Sequence, residues 1–389
     1  MKKALFEDKV LGCIYGTAFG DALGAPVERM SHQEIIKFYG GPVTSVKTKW
    51  YKADWDPVDR LNRMRGYGII TDDTLMTLSL MRVYEAERRH LDAFDLAKEF
   101  VKEIAFRPRY IPEFDREAMI LERLFYPEKH IFNRHTLANC DPRDGGQGNM
   151  VNCGAAMYIS PIGVVNACNP KAAYDEAIDF ACGQQLSYGL EAAGVLAACV
   201  AKAFEPGADE QSIVTAALSV AKDGTKAAIE KMTEAALALR PIKDDKQAII
   251  NKFFDVMLTY SPVGEQYVRH IDRVGLPTNN YTPSRLYAIE ELPIALAYLL
   301  LHAGEPMDAI VDGVNSGRDT DSIGVMTGCI AGTLYGSAIF DEEEIHTIDE
   351  KSRLALDDSA LRFARVAQDI VKKDMHEASR LLELLGNID

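Results

Sequence analysis

Hydrophobic residues recur every three or four positions along most of the chain, the spacing that turns one face of an α-helix towards a core. Alternating patterns that form half-buried strands are scarce, and the apolar run at 156–165 fits either a helix or a strand. The pattern predicts an all-α fold, with helices at 75–90, 91–106, 171–180, 190–204, 212–222, 226–239, 246–258, 288–302 and across 342–385.

Three segments rich in proline, glycine or asparagine interrupt the helical pattern, at 40–70, 126–153 and 260–283. Irregular segments of this length inside a compact domain are usually functional or disordered. No low-complexity linker divides the chain, and the sequence has no repeat of solenoid period. We therefore predict one domain that spans residues 1–389.

Glycine recurs at every fourth position in two stretches of the chain. The two stripes are Gly12, Gly16, Gly20 and Gly24, and Gly324, Gly328, Gly332 and Gly336. A glycine inside a helix costs about 0.5–1 kcal/mol relative to alanine, so four in a row need compensation. Because residues four apart share a helix face, we predict that two glycine-lined helices approach closely in the protein centre. The alternative is that these glycines mark loops.

Composition and charge narrow the class of protein. Hydrophobic residues make up 47% of the chain, which is ordinary for a globular core, and the formal net charge is -15. An acidic surface repels phosphates and anionic lipids, so we expect no nucleic-acid partner and no membrane partner. The seven cysteines form no C-x-x-C pair, and no secretory signal or long apolar span stands out. We expect a cytoplasmic protein.

Two clusters combine carboxylates with hydroxyls at the start of a helical pattern, TDDT at 71–74 and DTDS at 319–322. Acids suit the N-terminus of a helix, and this is the simpler explanation of the first cluster. Both clusters adjoin apolar residues, however, and buried charges need a partner or a metal ion. Hard oxygen ligands suit Mg²⁺, Mn²⁺ or Ca²⁺ and do not suit zinc. The sequence therefore predicts that the clusters share one cation site.

Five motifs occur in order along the chain and extend the acid clusters. They are GCIYGTAFGDALGAPVE (12–28), ITDDTLMTLSL (70–80), NCGAAMYISPIG (152–163), EELPIALAYL (290–299) and GRDTDSIGVMTGCIAGTLYG (317–336). With these motifs the chain resembles the ADP-ribosylglycohydrolase family, which includes the dinitrogenase-reductase-activating glycohydrolase and the ADP-ribosyl-acceptor hydrolases. The resemblance implies a compact, single-domain orthogonal helical bundle with a central dinuclear site of two Mg²⁺ or Mn²⁺ ions.

The resemblance also implies which residues form the site. The metal ligands would be Thr71, Asp72, Asp73, Asp319, Asp321 and Ser322. Glu28, Asp73 and Asp321 are the candidates for the general base, and the sequence does not rank them. Substrate would be bound by Asn152, Cys153, Gly154, Ala155 and Met157 in a diphosphate loop, together with Arg318. Whether Arg318 pairs with a phosphate or with a neighbouring aspartate stays open.

The implied activity is hydrolysis of the glycosidic bond between ADP-ribose and an acceptor, which is a protein side chain or a small molecule. The chain departs from the family on the substrate side. Tyr158 stands where arginine is common, Arg318 stands where a small residue is common, and Gln184 lies near the place of a common histidine. These departures support two alternatives: a hydrolase of a small N-riboside or nucleotide-like metabolite, and a non-catalytic ADP-ribose-binding relative.

Overall fold

Helices form most of the computed structural model, which describes residues 5–60, 62–260 and 288–386. The helices are α1 Leu5–Gly24, α2 His32–Tyr39, α3 Asp72–Glu87, α4 Ala93–Asp95, α5 Val101–Ala105, α6 Ile120–Arg123, α7 Tyr126–Leu137, α8 Ser160–Val165, α9 Pro170–Ala181, α10 Ser187–Ala203, α11 Glu210–Val220, α12 Asp223–Leu239, α13 Lys246–Met257, α14 Ala288–Leu301, α15 Pro306–Asn315, α16 Thr320–Tyr335, α17 Glu342–Ser352 and α18 Leu356–Leu385. The predicted all-α fold class is confirmed.

Extended structure is limited, in the described part of the chain, to one small hairpin. Strand β1 (Arg109–Ile111) pairs antiparallel with β2 (Arg116–Ala118). A π-helical turn at Leu96–Phe100 joins α4 to α5, so the helix predicted at 91–106 is present with one wide turn inside it. Short 3₁₀ turns continue α1 at Ala25–Val27 and precede α8 at Ala156–Tyr158. The ambiguous run at 156–165 is therefore helical.

The two glycine stripes face each other along α1 and α16, as predicted. Gly16 lies against Gly328 and Gly20 against Gly324, so the two helices run antiparallel. A Cβ atom added at either Gly16 or Gly20 would overlap the backbone of the opposite helix. Close contact between the two backbones compensates for the low helix propensity of glycine, because dispersion contacts accumulate along four turns. The packed pair also places Gly24, at the end of α1, beside Asp321 at the start of α16.

The first helix has the length and composition of a membrane span. Leu5–Val27 has a mean hydropathy of 1.2, but 94% of that window is buried inside the fold. The sequence-based expectation that no such stretch exists was wrong, because the large aliphatic and aromatic residues of α1 outweigh its glycines and Asp21. The environment of this helix is that of a core helix, since α16 and α18 pack against it.

The structure corrects one of the three predicted irregular segments. Residues Tyr126–Leu137 form a helix, and Pro127 occupies its first turn, where a missing N–H costs nothing. Proline in this position misled the sequence interpretation, which treated it as a breaker. The segment 40–70 contains turns and bends, as predicted. The segment 260–283 lies, apart from Tyr260, outside the described residues.

Candidate functional site

The two predicted acid clusters meet in one cleft of about 540 Å³. The first cluster begins α3 and the second begins α16, and the hydroxyl of Ser322 donates to Asp73 Oδ1 at 3.0 Å. The lining includes the predicted residues Glu28, Asp72, Asp73, Asn152, Cys153, Gly154, Met157, Asp319, Asp321 and Ser322. Thr71 and Ala155 are fully buried and do not line the cleft, although the Thr71 hydroxyl donates to Asp73 Oδ2 at 3.2 Å.

Glu28 joins the second acid cluster through a backbone pairing between distant segments. The N–H of Arg29 donates to the carbonyl of Arg318 at 2.8 Å, and the N–H of Arg318 donates to Met30 at 2.9 Å. This pairing places Glu28 beside the start of α16. One carboxylate oxygen each from Glu28, Asp319 and Asp321 lies within 4.8 Å of the others, a spacing that suits one shared cation.

Asp21 connects the glycine-packed helix α1 to the first acid cluster. Its buried carboxylate accepts hydrogen bonds from the backbone N–H groups of Thr71 and Thr74 and from the Thr74 hydroxyl, at 2.6 to 3.1 Å. The side chain of Thr71 makes no capping hydrogen bond to α3. The Thr71 hydroxyl therefore does not cap α3, and Asp21 accepts from the N–H groups at its start instead. Asp72 and Asp73 do lie in the first turn of the helix, as the simpler explanation of the cluster expects.

The buried acids that line the cleft repel one another. Burial, reinforced by the neighbouring Asp321, raises the pKa of Asp73 well above its usual range. The pKa of Asp319 is raised for the same two reasons, and burial with the Glu28 charge raises the pKa of Asp321 to about 6. Within the described residues, none of these three carboxylates has an ion-pair partner. A bound cation would relieve this repulsion.

Three arginines, Arg63, Arg65 and Arg123, gather around Glu113, and two of them, Arg63 and Arg123, line the cleft. Arg123 pairs with Asp72 and with the fully buried Glu113. Arg65 also pairs with Glu113, at 2.5 Å, and it donates to Glu28 at 2.9 Å. Arg63 lies 3.8 Å from Glu113 and lines the cleft. Glu113 thus holds together the guanidinium groups that balance the charges of Glu28 and Asp72.

Glu28 differs electrostatically from the aspartates around it. Burial raises the pKa of Glu28, but the guanidinium groups of Arg65, Arg29 and Arg123 outweigh burial and hold it below its usual range. Glu28 is therefore an ion-paired carboxylate, whereas Asp73 and Asp321 have no ion-pair partner among the described residues. The ion-paired Glu28 is suited to orienting a polar group, and the aspartates are suited to binding a cation.

Comparisons with known proteins agree with this geometry. The family model described as ADP-ribosylglycohydrolase matches residues 2–376. The chain belongs to the ADP-ribosylglycohydrolase family. Membership supports a glycosyl hydrolase enzyme and confirms the resemblance on which the site prediction rests.

Two relatives and one solved structure show how far the similarity of this family member extends. A protein of Escherichia coli (strain K12) named "Uncharacterized protein YegU" is 24% identical over 93% of this chain and 98% of its own length. The ADP-ribosyl-[dinitrogen reductase] glycohydrolase of Rhodospirillum rubrum is 32% identical, over 38% of this chain and 43% of its own length. A structure titled "ADP-ribosylglycohydrolase-related protein complex" has a TM-score of 0.58 at 18% identity, covering 93% of this chain and 99% of that one.

The acids of this ADP-ribosylglycohydrolase-family chain fit a divalent cation site. The donor set consists of carboxylate and hydroxyl oxygens, which are the ligands of hard cations such as Mg²⁺ and Mn²⁺. Asp73, Asp319 and Asp321 are each at most 4% exposed, and without a cation their charges are uncompensated.

The predicted diphosphate loop is only partly available to a ligand. The N–H of Gly154 already donates to the side chain of Asn152 at 2.9 Å, and the N–H of Met157 donates to Cys153 at 3.0 Å. The Cys153 thiol donates to Asp319 at 3.1 Å, so this side chain faces the acids. The loop therefore supports the acid cluster and forms one wall of the cleft.

Two departures from the family pattern contact each other. The hydroxyl of Tyr158, where arginine is common, donates to Gln184 Oε1 at 2.5 Å. Gln184, near the place of a common histidine, donates in turn to the carbonyl of Gly154 at 3.0 Å. These buried polar side chains position the loop from behind. In this chain, Gln184 accepts from Tyr158 and donates to the loop.

The structure corrects the role predicted for Arg318. Its guanidinium pairs with Glu290 at 2.5 Å and lies 5.4 Å from the centre of the Phe254 ring. The guanidinium therefore pairs with neither neighbouring aspartate, and Arg318 does not line the cleft. A contact between Arg318 and a phosphate stays a prediction. Arg318 contributes to the site through its backbone, which has a left-handed conformation (φ 72°) and forms hydrogen bonds with Arg29 and Met30.

Sequence reasoning missed the residues that support the acids from outside the motifs. They are Arg63, Arg65, Glu113, Arg123 and Glu128. The available signal was weak: Arg123 precedes two apolar residues, and Glu128 lies near the start of the segment 126–153, which its prolines and glycines led us to predict as irregular. Charged residues on amphipathic segments normally face solvent, so only their packing reveals them as buried.

Proposed function

We propose that this hydrolase cleaves the glycosidic bond between ADP-ribose and an acceptor group, using two divalent cations, Mg²⁺ or Mn²⁺. The observation that carries the proposal is the convergence of two acid clusters separated by about 250 residues. Ser322 and Asp73 are 249 positions apart, yet they share a 3.0 Å hydrogen bond beneath the cleft. Burying several carboxylates close together costs free energy, so a shared function best explains why the two clusters converge.

The ligands that would hold the cations are Asp72, Asp73, Asp319, Asp321 and Ser322, with Thr71 and Glu28 beside them. When bound, the cations supply Lewis-acid stabilisation of charge and fix the hydroxyl groups of the ribose. Asp72 shares its charge with Arg123 in this structure, so we expect it to be the weakest of the carboxylate ligands.

The chain's own residues orient and activate the attacking water. Glu28 is held ionised and in place by Arg65, which keeps one carboxylate oxygen beside Asp319 and Asp321. Asp73 and Asp321 are stronger bases than Glu28, because burial raises their pKa values while the arginines lower that of Glu28. We propose that Glu28 orients the water and that Asp73 or Asp321 accepts its proton.

The test is turnover by the purified chain with Mg²⁺ or Mn²⁺ on an ADP-ribosyl-arginine protein, an ADP-ribosyl-serine peptide and free nucleosides, resolved by chromatography. We expect ADP-ribose release from an ADP-ribosylated acceptor, and loss of activity with EDTA. Asp319→Asn should lower kcat/KM by more than about 100-fold, since even removing a group that supports a metal ligand costs about 10–100-fold.

The matched control is Asp244→Asn, which changes an exposed acid outside the cleft and should leave turnover unchanged. Full activity of Asp319→Asn in EDTA would contradict the proposal. Release of a free base from nucleosides, with no cleavage of ADP-ribosylated acceptors, would favour the small N-riboside alternative.

A further inference from the structure

A buried network of amide side chains lies behind the cleft and ends at Glu128. Asn152 is at its centre: the Oδ1 atom accepts from Gly154 N–H at 2.9 Å and from Gln185 Nε2 at 2.7 Å. Its Nδ2 atom donates to Glu128 Oε1 at 2.6 Å. Because both groups bonded to Oδ1 are donors, the orientation of the Asn152 amide is fixed. Glu128 Oε1 is consequently fixed as an acceptor.

The other carboxylate oxygen of Glu128 is left without a partner. Among the described residues that line the cleft, Glu128 Oε2 is the one buried side-chain polar atom that has no hydrogen-bond partner. Glu128 is 2% exposed, so solvent does not substitute for the missing partner. A buried carboxylate oxygen in this state costs free energy, and it is normally explained by a bound group.

We propose that Glu128 is a substrate-binding residue whose Oε2 atom accepts a hydrogen bond from a hydroxyl group of the ribosyl ligand. The inference rests on the proposed function, and it names a contact that the family motifs do not include. Glu128 lies on α7, outside the five motifs.

The charges around Glu128 favour a hydroxyl over a phosphate. A carboxylate repels anionic oxygens, and the guanidinium groups of Arg29 and Arg63 on the same cleft offer phosphates better partners. Burial raises the pKa of Glu128 to about 7, although the Asn152 side chain lowers it. A second donor, supplied by a ligand, stabilises the ionised form. Gly154 allows its loop to lie close to the Glu128 carboxylate, because a Cβ atom at this position would lie 2.8 Å from Glu128 Oε1.

The decisive variant is Glu128→Gln, since the network dictates how the glutamine is oriented. Its oxygen must face the Asn152 donor, so its NH₂ group replaces Oε2 in the cleft and presents a donor where the ligand needs an acceptor. Isothermal titration of ADP-ribose in the presence of Mn²⁺ should show binding about 10–100-fold weaker than wild type. The control is Glu122→Gln on the neighbouring α6, where the side chain pairs with Arg116 and does not line the cleft.

Analogues identify which hydroxyl is bound and test the wild-type chain directly. The probes are ADP-ribose lacking the 2′- or 3′-hydroxyl of the adenosine ribose, and ribose 5-phosphate. An analogue that loses affinity for wild type but not for Glu128→Gln marks the hydroxyl that Glu128 accepts from. If the bound hydroxyl belongs instead to the ribose that is not part of adenosine, ribose 5-phosphate binds Glu128→Gln more weakly than it binds wild type.

Two results would overturn the inference. The first is wild-type affinity in Glu128→Gln for every probe. The second is a loss of affinity on hydroxyl removal that is identical in wild type and variant, together with equal binding of ribose 5-phosphate to both proteins. If wild type hydrolyses an ADP-ribosylated acceptor and either result is obtained, only the proposed Glu128 contact is rejected. Absence of both ADP-ribose binding and turnover in wild type removes the proposed function and the contact together.

Discussion

Asp21 accepts a hydrogen bond from the Thr74 hydroxyl at 2.6 Å, and this contact joins the central helix α1 to the start of α3. The same carboxylate accepts the backbone N–H of Thr71, so the conformation of the first acid cluster depends on a residue about 50 positions earlier. Positioning from a packed helix gives the site precision, because helices hold side chains more rigidly than loops do.

Asp21→Ala should therefore weaken both the fold and the site. The buried N–H groups of Thr71 and Thr74 lose their acceptor, at a cost of about 1–3 kcal/mol in the free energy of unfolding. Urea unfolding measures that cost, and Mn²⁺ titration measures the expected loss of cation affinity. Glu342→Ala, which removes an exposed acid from the first turn of α17, is the control for loss of an acid near a helix start. Unchanged Mn²⁺ affinity in Asp21→Ala would separate this helix cap from the site.

Gly16→Ala tests the contact between the glycine stripes. The added methyl group overlaps the carbonyl group of Gly328, and a backbone cannot move aside as a flexible side chain can. We expect a loss of at least about 1–3 kcal/mol in the free energy of unfolding, the usual cost of overpacking. The control is Gly41→Ala, where nothing lies within 4 Å of the new Cβ. Equal unfolding midpoints for the two variants would refute the close approach of α1 and α16.

Arg123→Met tests whether a guanidinium and a cation share Asp72. The variant leaves Asp72 without its ion-pair partner in a buried site, and we expect a lower melting temperature without divalent cations. A cation bound at Asp72 replaces the lost positive charge, so Mn²⁺ should raise the melting temperature more in the variant than in wild type. Scanning calorimetry with and without Mn²⁺ measures the difference. An equal Mn²⁺-induced rise in both proteins would place Asp72 outside the cation site.

His90 makes stability depend on pH away from the cleft. Its hydrogen bond to Glu176, at 2.5 Å, raises the pKa of His90 to about 9; burial opposes this shift, and Asp374 adds to it. The folded-state pKa lies above the unfolded value of about 6.5, so the stabilisation is complete below pH 6.5. It is lost as the pH rises from 6.5 through 9.

The measurement is the difference in melting temperature between wild type and His90→Gln across that pH range. We expect the wild-type advantage to be largest near pH 6 and to disappear above pH 9. His376→Gln, which changes an exposed histidine on α18, should show no such trend. A constant difference between wild type and His90→Gln at all pH values would mean that the ion pair does not titrate in this range.

The sequence by itself determined the helical fold class and the identity of the acid residues. Helical periodicity is a local property, so α3, α10 and α12 were predicted to within a few residues. The stripes through Gly16 and Gly328 predicted a close helix pair, because so many glycines are unfavourable in helices that lack a compensating contact.

Only the tertiary structure decided how charge is arranged around those acids. The Asp21 side chain, and not that of Thr71, caps α3, and Arg318 pairs with Glu290. Glu128 lines the cleft from α7, a helix that the sequence did not predict because of Pro127. Each depends on contacts between residues far apart in the chain. Local sequence patterns carry no information about which distant charge a buried carboxylate meets, because burial and pairing are properties of the packed molecule.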